Sequence, residues 1–337
     1  MDEALLAVLR CPADGAALTA ADGVLACPHG HAFGVREGIP RVLAPDAPPA
    51  GAAGTHASFE AKWRAYPEAD RRSMAAMQER WYDERFGWDG DDDLGRRLAG
   101  CERVLDAGSG LGYDAARYAR LTGGLVVGLD VTDAVEIAAA DHRAANLRFV
   151  QGDLTRPPLA PGTFDFVVAD QVIHHTPDAR AAFLTLARLL APGGELSVYV
   201  YRRKGLLREL ADDHVRARTT AMSVDECLEF AEQVTELGRE LSRVGATVTL
   251  ERGIPLLGIA PGEHDVQRLL YWHVLKCYWN EELGQRQSVM TNFDWYHPPH
   301  ASRHTAAEVR GWCREAGLEV AHLSEIESGI SVRARRP

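Results

Sequence analysis

The chain has 337 residues, 46% of them hydrophobic and 25% charged, with a formal net charge of −11. Those proportions suit a soluble globular protein with a full core and exclude a collagen-like or low-complexity chain. The acidic balance argues against a long phosphate-tracking surface, and so against nucleic acid as a partner. The first ten residues, Met1 to Arg10, carry acids where a secretory leader needs positive charge, and their apolar run is too short to span a bilayer. A cytoplasmic location with no membrane association is expected. Six scattered cysteines do not read as a disulfide framework.

Residues 1–45 read as a small module. Cys11-Pro-Ala-Asp14 and Cys27-Pro-His29-Gly-His31 bracket a turn-rich middle, and Phe33, Ile39, Val42 and Leu43 offer a miniature core. A unit this small usually needs a staple, because its apolar area alone does not offset chain entropy. Zinc wants four nitrogen, sulfur or oxygen ligands in a tetrahedron. Cys11, Cys27 and His31 supply three, and Asp14 or His29 completes the shell unless the module is metal-free. Residues 46–99 combine a Pro-, Ala- and Gly-rich linker, about 44–58, with helical patterning through Phe59, Trp63, Met74, Met77, Trp81, Tyr82, Phe86 and Trp88.

Residues 100–201 alternate short apolar strands with helices, which predicts a parallel sheet with crossover connections. Val104-Leu105-Asp106 runs into Gly108, Gly110 and Gly112, and glycines there permit positive φ and close backbone approach to a ligand near a helix N-terminus. Leu125 to Asp130 ends a second strand in an acid, the natural acceptor for two ribose hydroxyls. Leu147 to Asp153 and Phe164 to Asp170 end likewise, the latter leading into His174-His175, and Glu195 to Val200 follows the Pro192-Gly193-Gly194 turn. Helices are expected over about 114–121, 134–143 and 178–190.

The dinucleotide fingerprint requires Gly where Tyr113 stands. The loop Asp106-Ala-Gly-Ser-Gly-Leu-Gly112, with the strand-end acids in this order, instead resembles the first motifs of class I S-adenosylmethionine-dependent methyltransferases. The resemblance implies an α/β fold, a doubly wound, mostly parallel, Rossmann-like sheet. It implies S-adenosylmethionine as cofactor, held by Asp106, Gly108, Ser109, Gly110, Gly112, Asp130, Val131, Asp153, Leu154 and Asp170. Residues 1–45 resemble the zinc ribbon ahead of some ribosomal-RNA guanine methyltransferases and in small partner proteins of methyltransferases. There the first ligand pair is Cys-x-x-Cys, and Asp14 departs from it. The implied metal ligands are Cys11, Asp14, Cys27 and His31.

Residues 202–304 read largely as helix and interrupt the fold between its fifth strand and last helix, so they are expected to form a lid over the acceptor. Residues 305–337 complete the core: Thr305 and Glu308 make a capping-box pattern, followed by two strand candidates. A sulfonium methyl is already activated, so the acceptor needs alignment and, where it carries a proton, a base. His174 and His175 are candidates because imidazole titrates near neutrality. Tyr296 and His297, in an expected proline-broken loop running from 292 to 304, are candidate acceptor contacts. A second metal on Asp294, His297, His300 and His304 is conceivable chemistry for carboxylate and imidazole. The sequence therefore predicts an enzyme methylating a small molecule on oxygen, nitrogen or carbon. An RNA methyltransferase using the ribbon and a non-catalytic cofactor-binding partner protein are the alternatives. The oligomeric state is open.

Overall fold

The computed structural model describes residues 2–46, 48–65 and 68–337, with residues 68–76 described for their backbone alone. Met74, expected on an apolar helix face, lies outside the described side chains. A short helix, α1 (Glu3–Val8), capped by the Asp2 carboxylate, precedes four antiparallel strands in the order β1 (Thr19–Ala21), β2 (Val24–Ala26), β3 (Ala32–Arg36) and β4 (Ile39–Pro40). The buried residues of this part, among them Leu9, Leu25, Phe33 and Val42, join the same apolar cluster as Leu105 and Leu129 of the large sheet. Backbone bonds fasten the two sheets: Val42 N–H donates to Gln151 at 2.8 Å and Arg10 N–H to Pro158 at 2.8 Å. Of the expected miniature core, Phe33 and Val42 are thus continuous with the main one, Ile39 packs in a second cluster with Tyr82 and Phe86, and Leu43 is exposed.

Three helices follow: α2 (Ala52–Arg64), α3 (Glu68–Phe86) and α4 (Gly90–Leu98). Composition read a linker as far as Ser58, but α2 begins at Ala52 and buries Thr55 and Ser58. Its Ala-rich start tolerates helix, and its Ser58 hydroxyl returns to the Gly54 carbonyl at 2.8 Å.

The main sheet then builds from β5 (Arg103–Ala107), α5 (Tyr113–Leu121), β6 (Leu125–Asp130), α6 (Ala134–Asp141), β7 (Leu147–Gln151), β8 (Phe164–Ala169), α7 (Ala179–Leu189) and β9 (Leu190–Tyr201). After the insertion come α12 (Ala306–Glu315), β12 (Glu319–Glu325) and β13 (Gly329–Arg335), with α12 opened by the expected Thr305/Glu308 capping box. Strand order is β12-β13-β9-β8-β5-β6-β7. Strands β5 to β9 are parallel, and β13 runs antiparallel between β9 and β12. Near-continuous burial along β5, β6 and β8 is what a parallel sheet covered on both faces requires. The fold is therefore the expected mostly parallel α/β sheet, and the order reverses between β5 and β8, where ligands bind outside the strands' C-terminal ends.

Between β9 and α12 lie α8 (Leu206–Thr219), α9 (Val224–Val244), the hairpin β10 (Thr247–Leu250) and β11 (Gly262–Asp265), α10 (Val266–His273) and α11 (Gly284–Tyr296). Two details differ from expectation. The hairpin was not foreseen, although Thr-Val-Thr at 247–249 is a strand-favouring run. Residues 292–296 are the last turns of α11 rather than loop, because the Pro298-Pro299 pair stops the helix only after them. Among the described residues, no helix is long and apolar enough to cross a membrane.

Candidate active site

A cavity of about 560 Å³ opens at the C-terminal ends of β5, β6 and β8 and extends beneath the inserted helices. Its inner end is built by the glycine loop. Gly108 has φ +88°, and a Cβ there would lie 2.5 Å from the Val172 side chain; Gly110 has φ +48°, and a Cβ there would lie 2.9 Å from Trp63. Both glycines border the cavity, with the Val172 and Trp63 side chains packed so closely that neither position has room for a side chain of its own. Asp130 ties loop to strand: one carboxylate oxygen accepts from Gly110 N–H at 2.8 Å, the other from Thr132 N–H at 2.9 Å and its hydroxyl at 2.7 Å. Asp153 accepts from Thr155 N–H and hydroxyl, each at 2.7 Å. Ser109 Oγ and Asp170 Oδ1 have no partner among the described residues, and both residues border the cavity. Open backbone, a strand-end acid and unpaired polar atoms together fit a nucleoside-bearing ligand.

Of the ten expected cofactor residues, Gly108, Ser109, Gly110, Asp130, Val131, Asp153, Leu154 and Asp170 line the cavity. Asp106 and Gly112 stand behind it. Asp106 accepts from Ala115 N–H at 3.1 Å, and burial next to the Asp114 carboxylate raises its pKa well above the usual range. Gly112, left-handed, is the cap residue of α5.

The four candidate catalytic residues separate. His175 lines the cavity, donates from Nδ1 to the His300 carbonyl at 2.8 Å, and is pushed down to about 4 by burial. His174 lies behind it, fully buried against Tyr201 with rings 3.8 Å apart. Tyr296 and His297 do not border the cavity. The Tyr296 hydroxyl donates to the Lys276 carbonyl at 2.8 Å, and His297 Nδ1 bonds Ser58 Oγ at 2.7 Å. Of the aromatics in the helical pattern ahead of the first large-sheet strand, Trp63 walls the cavity, while Tyr82 and Phe86 are buried in the core.

Residues 105–198 match the family described as "Methyltransferase domain". The chain is 42% identical over 134 residues to an arsenite methyltransferase of Aquipseudomonas alcaligenes, covering 35% of this chain and 38% of that protein. It is 33% identical over 102 residues to a sterol 24-C-methyltransferase of Gibberella zeae, covering 29% and 27%. The chain thus spans about a third of the length of these two relatives. Among solved structures it is similar to a Burkholderia thailandensis 1,6-didemethyltoxoflavin-N1-methyltransferase, at 16% identity, 90% and 95% coverage and a TM-score of 0.44.

The outer end of the cavity is walled by side chains most of which motif reading did not single out. Lys62 of α2 pairs with Asp294 of α11 at 2.8 Å, Arg85 of α3 pairs with Asp170, and Lys276, Tyr271, Trp272 and Tyr278 come from α10 and the segment after it. One sequence signal was available. Only three of the 37 Lys and Arg residues are lysine, namely Lys62, Lys204 and Lys276, and two of them border this cavity.

Away from this cavity, Cys11, Asp14, Cys27 and His31 bring four ligand atoms within 4.8 Å of one another. Cys27 Sγ lies 3.1 Å and His31 Nδ1 3.2 Å from Asp14 Oδ2, and Cys11 Sγ lies 3.4 Å from His31 Nδ1. A tetrahedron with bonds of about 2.0–2.3 Å has edges of about 3.3–3.8 Å, so the donor set fits zinc. Among the described residues this is the one such cluster, and Asp294, His297, His300 and His304 do not form another.

Proposed function

We propose that the chain is an S-adenosylmethionine-dependent methyltransferase acting on a small-molecule acceptor. The observation that carries the reading is the Asp130 carboxylate, bonded to Gly110 N–H and bordering the same cavity as the acceptor-side groups under the inserted helices. Asp130 would take a ribose hydroxyl, Ser109 and the glycine loop the amino-acid portion, and Asp153 with Leu154 the adenine. Bound there, the cofactor supplies a methyl group already activated by positive sulfur. The chain's own task is to exclude water, align the acceptor in line with that methyl and take up a proton where the acceptor carries one. Residues 202–304 would act as the lid. Relatives named as arsenite, sterol and O-methyltransferases support a small acceptor.

The same proposal gives Cys11, Asp14, Cys27 and His31 a structural zinc, supported by their mutual distances. The test of the main reading is calorimetry of the purified chain with S-adenosylhomocysteine. Saturable one-to-one binding that competes with S-adenosylmethionine is expected, and no binding refutes it.

A further inference from the structure

Lys276 belongs to an irregular stretch, yet it is held firmly. Its carbonyl accepts from the Tyr296 hydroxyl at 2.8 Å, the next carbonyl accepts from Gln267 at 3.1 Å, and Asn292 spans Tyr278 by accepting from its N–H at 2.9 Å and donating to its carbonyl at 3.1 Å. The side chain borders the cavity while only 7% exposed. Its Nζ lies 4.7 Å from the ring centroid of Trp295, 5.8 Å from Tyr271 and 6.0 Å from Tyr278, and among the described residues it makes no hydrogen bond or ion pair. The other two lysines are committed: Lys62 to Asp294, and Lys204 to the carbonyls of Glu327 and Ser328.

An unpaired amine inside an aromatic-lined cavity calls for a ligand that brings its own negative charge or an acidic proton. The rings of Tyr271, Trp272, Tyr278, Phe59 and Trp81 line the same cavity and suit a flat ring. The geometry points to Lys276 as the catalytic base of an acceptor that is a planar ring bearing an acidic hydroxyl, a phenol or enol. This rests on the methyltransferase reading. The neutral amine takes the hydroxyl proton; the oxygen's electron pair forms the new bond to the methyl carbon; the carbon–sulfur bond breaks with its pair kept by sulfur; and the proton leaves Nζ to water. Arginine cannot do this, because its guanidinium does not give up a proton in proteins.

The groups facing Nζ agree. Burial, then Arg208 of α8 and Lys62 of α2, disfavour the ammonium, while Asp294 of α11 and Asp212 of α8 favour it, and the balance sets the amine at about 7. A base works best when its pKa is near the working pH. His175, at about 4, is the poorer choice for an acidic hydroxyl.

The test needs no knowledge of the natural acceptor. Protein made with carbon-13 lysine gives three side-chain signals. The Lys276 signal, identified by its loss in Lys276→Met or by elimination with Lys62→Arg and Lys204→Arg, should titrate near neutrality and move when 4-nitrophenol is added without cofactor. At a pH low enough that the free probe is mostly neutral, the bound probe should still show its phenolate absorption. In Lys276→Met that band should vanish and probe affinity fall at least tenfold, with S-adenosylhomocysteine binding retained. A Lys276 signal titrating at the ordinary lysine value of about 10.4 overturns the assignment. So does wild-type protein that fails to bind the probe at millimolar concentration, or Lys276→Met that binds and ionises it as wild type does. Failure of wild-type protein to bind S-adenosylhomocysteine would instead remove the parent reading.

Discussion

Replacing Asp130 tests the cofactor end most directly. Its carboxylate offers about four acceptor positions, and three are spent inside the protein, on Gly110 N–H and on the Thr132 N–H and hydroxyl. One position remains for a ligand hydroxyl. A hydrogen bond to a charged acceptor is worth about 1.5–3 kcal/mol, so Asp130→Ala should weaken S-adenosylhomocysteine binding by roughly 10- to 150-fold. The same change strands the Gly110 N–H, which stands in the cradle itself, so the loss should lie toward the upper end of that range. Thr132→Ala is the control, since it removes one internal bond and leaves the ligand position untouched; its dissociation constant should change less than tenfold. Calorimetry at fixed pH gives the affinities, and thermal unfolding shows that both variants are folded. A folded Asp130→Ala protein binding within twofold of wild type would refute the reasoning.

Gly108→Ala combines a φ of +88° with a Cβ 2.5 Å from Val172, so it should cost about 1–3 kcal/mol of stability and more than tenfold in S-adenosylhomocysteine affinity, read by melting and calorimetry. Asp114 is raised to about 7 by burial and the nearby Asp170 carboxylate. Its folded form therefore holds a proton that the unfolded chain releases near pH 4. The stabilisation is complete below about pH 4 and is lost as pH rises through about 7, so Asp114→Asn should flatten the decline in urea-unfolding free energy across that window, and an unchanged slope would count against it. Cys27→Ser should abolish the zinc found by elemental analysis of the purified chain and lower its melting temperature. Zinc-free wild-type protein would show that the four side chains hold together without metal.

The glycine-loop end of the cavity was legible because its residues are contiguous and locally determined. A buried strand, a turn that only glycine accommodates and an acid at the next strand's end can each be read within a few residues, and Gly108, Asp130 and Asp153 all reach the cavity. The helix limits were nearly as readable; α6 ends at Asp141 rather than Arg143, within the usual fraying. The start of α2 at Ala52 and the 247–265 hairpin were missed because local composition there permits more than one structure, and tertiary contacts decide between them.

Tyr296 and His297 were expected beside an acceptor, but a different face of α11 borders the cavity, and helical geometry explains why. Gln287, Met290, Thr291 and Asp294 line the cavity, the i, i+3, i+4, i+7 spacing of one face of α11. Tyr296 stands two residues beyond Asp294, about 200° round the helix, so it points into the cluster formed with Cys227, Ala231 and Phe293. Reading the segment as loop removed the periodicity that would have separated these faces. Its hydroxyl nevertheless serves the cavity at one remove, because it fixes the carbonyl of Lys276. An irregular stretch can place an amine precisely enough for chemistry only when neighbouring elements supply the hydrogen bonds its own backbone lacks. Here α10 and α11 supply them through Gln267, Asn292 and Tyr296, three side chains whose part is invisible until the chain has closed on itself.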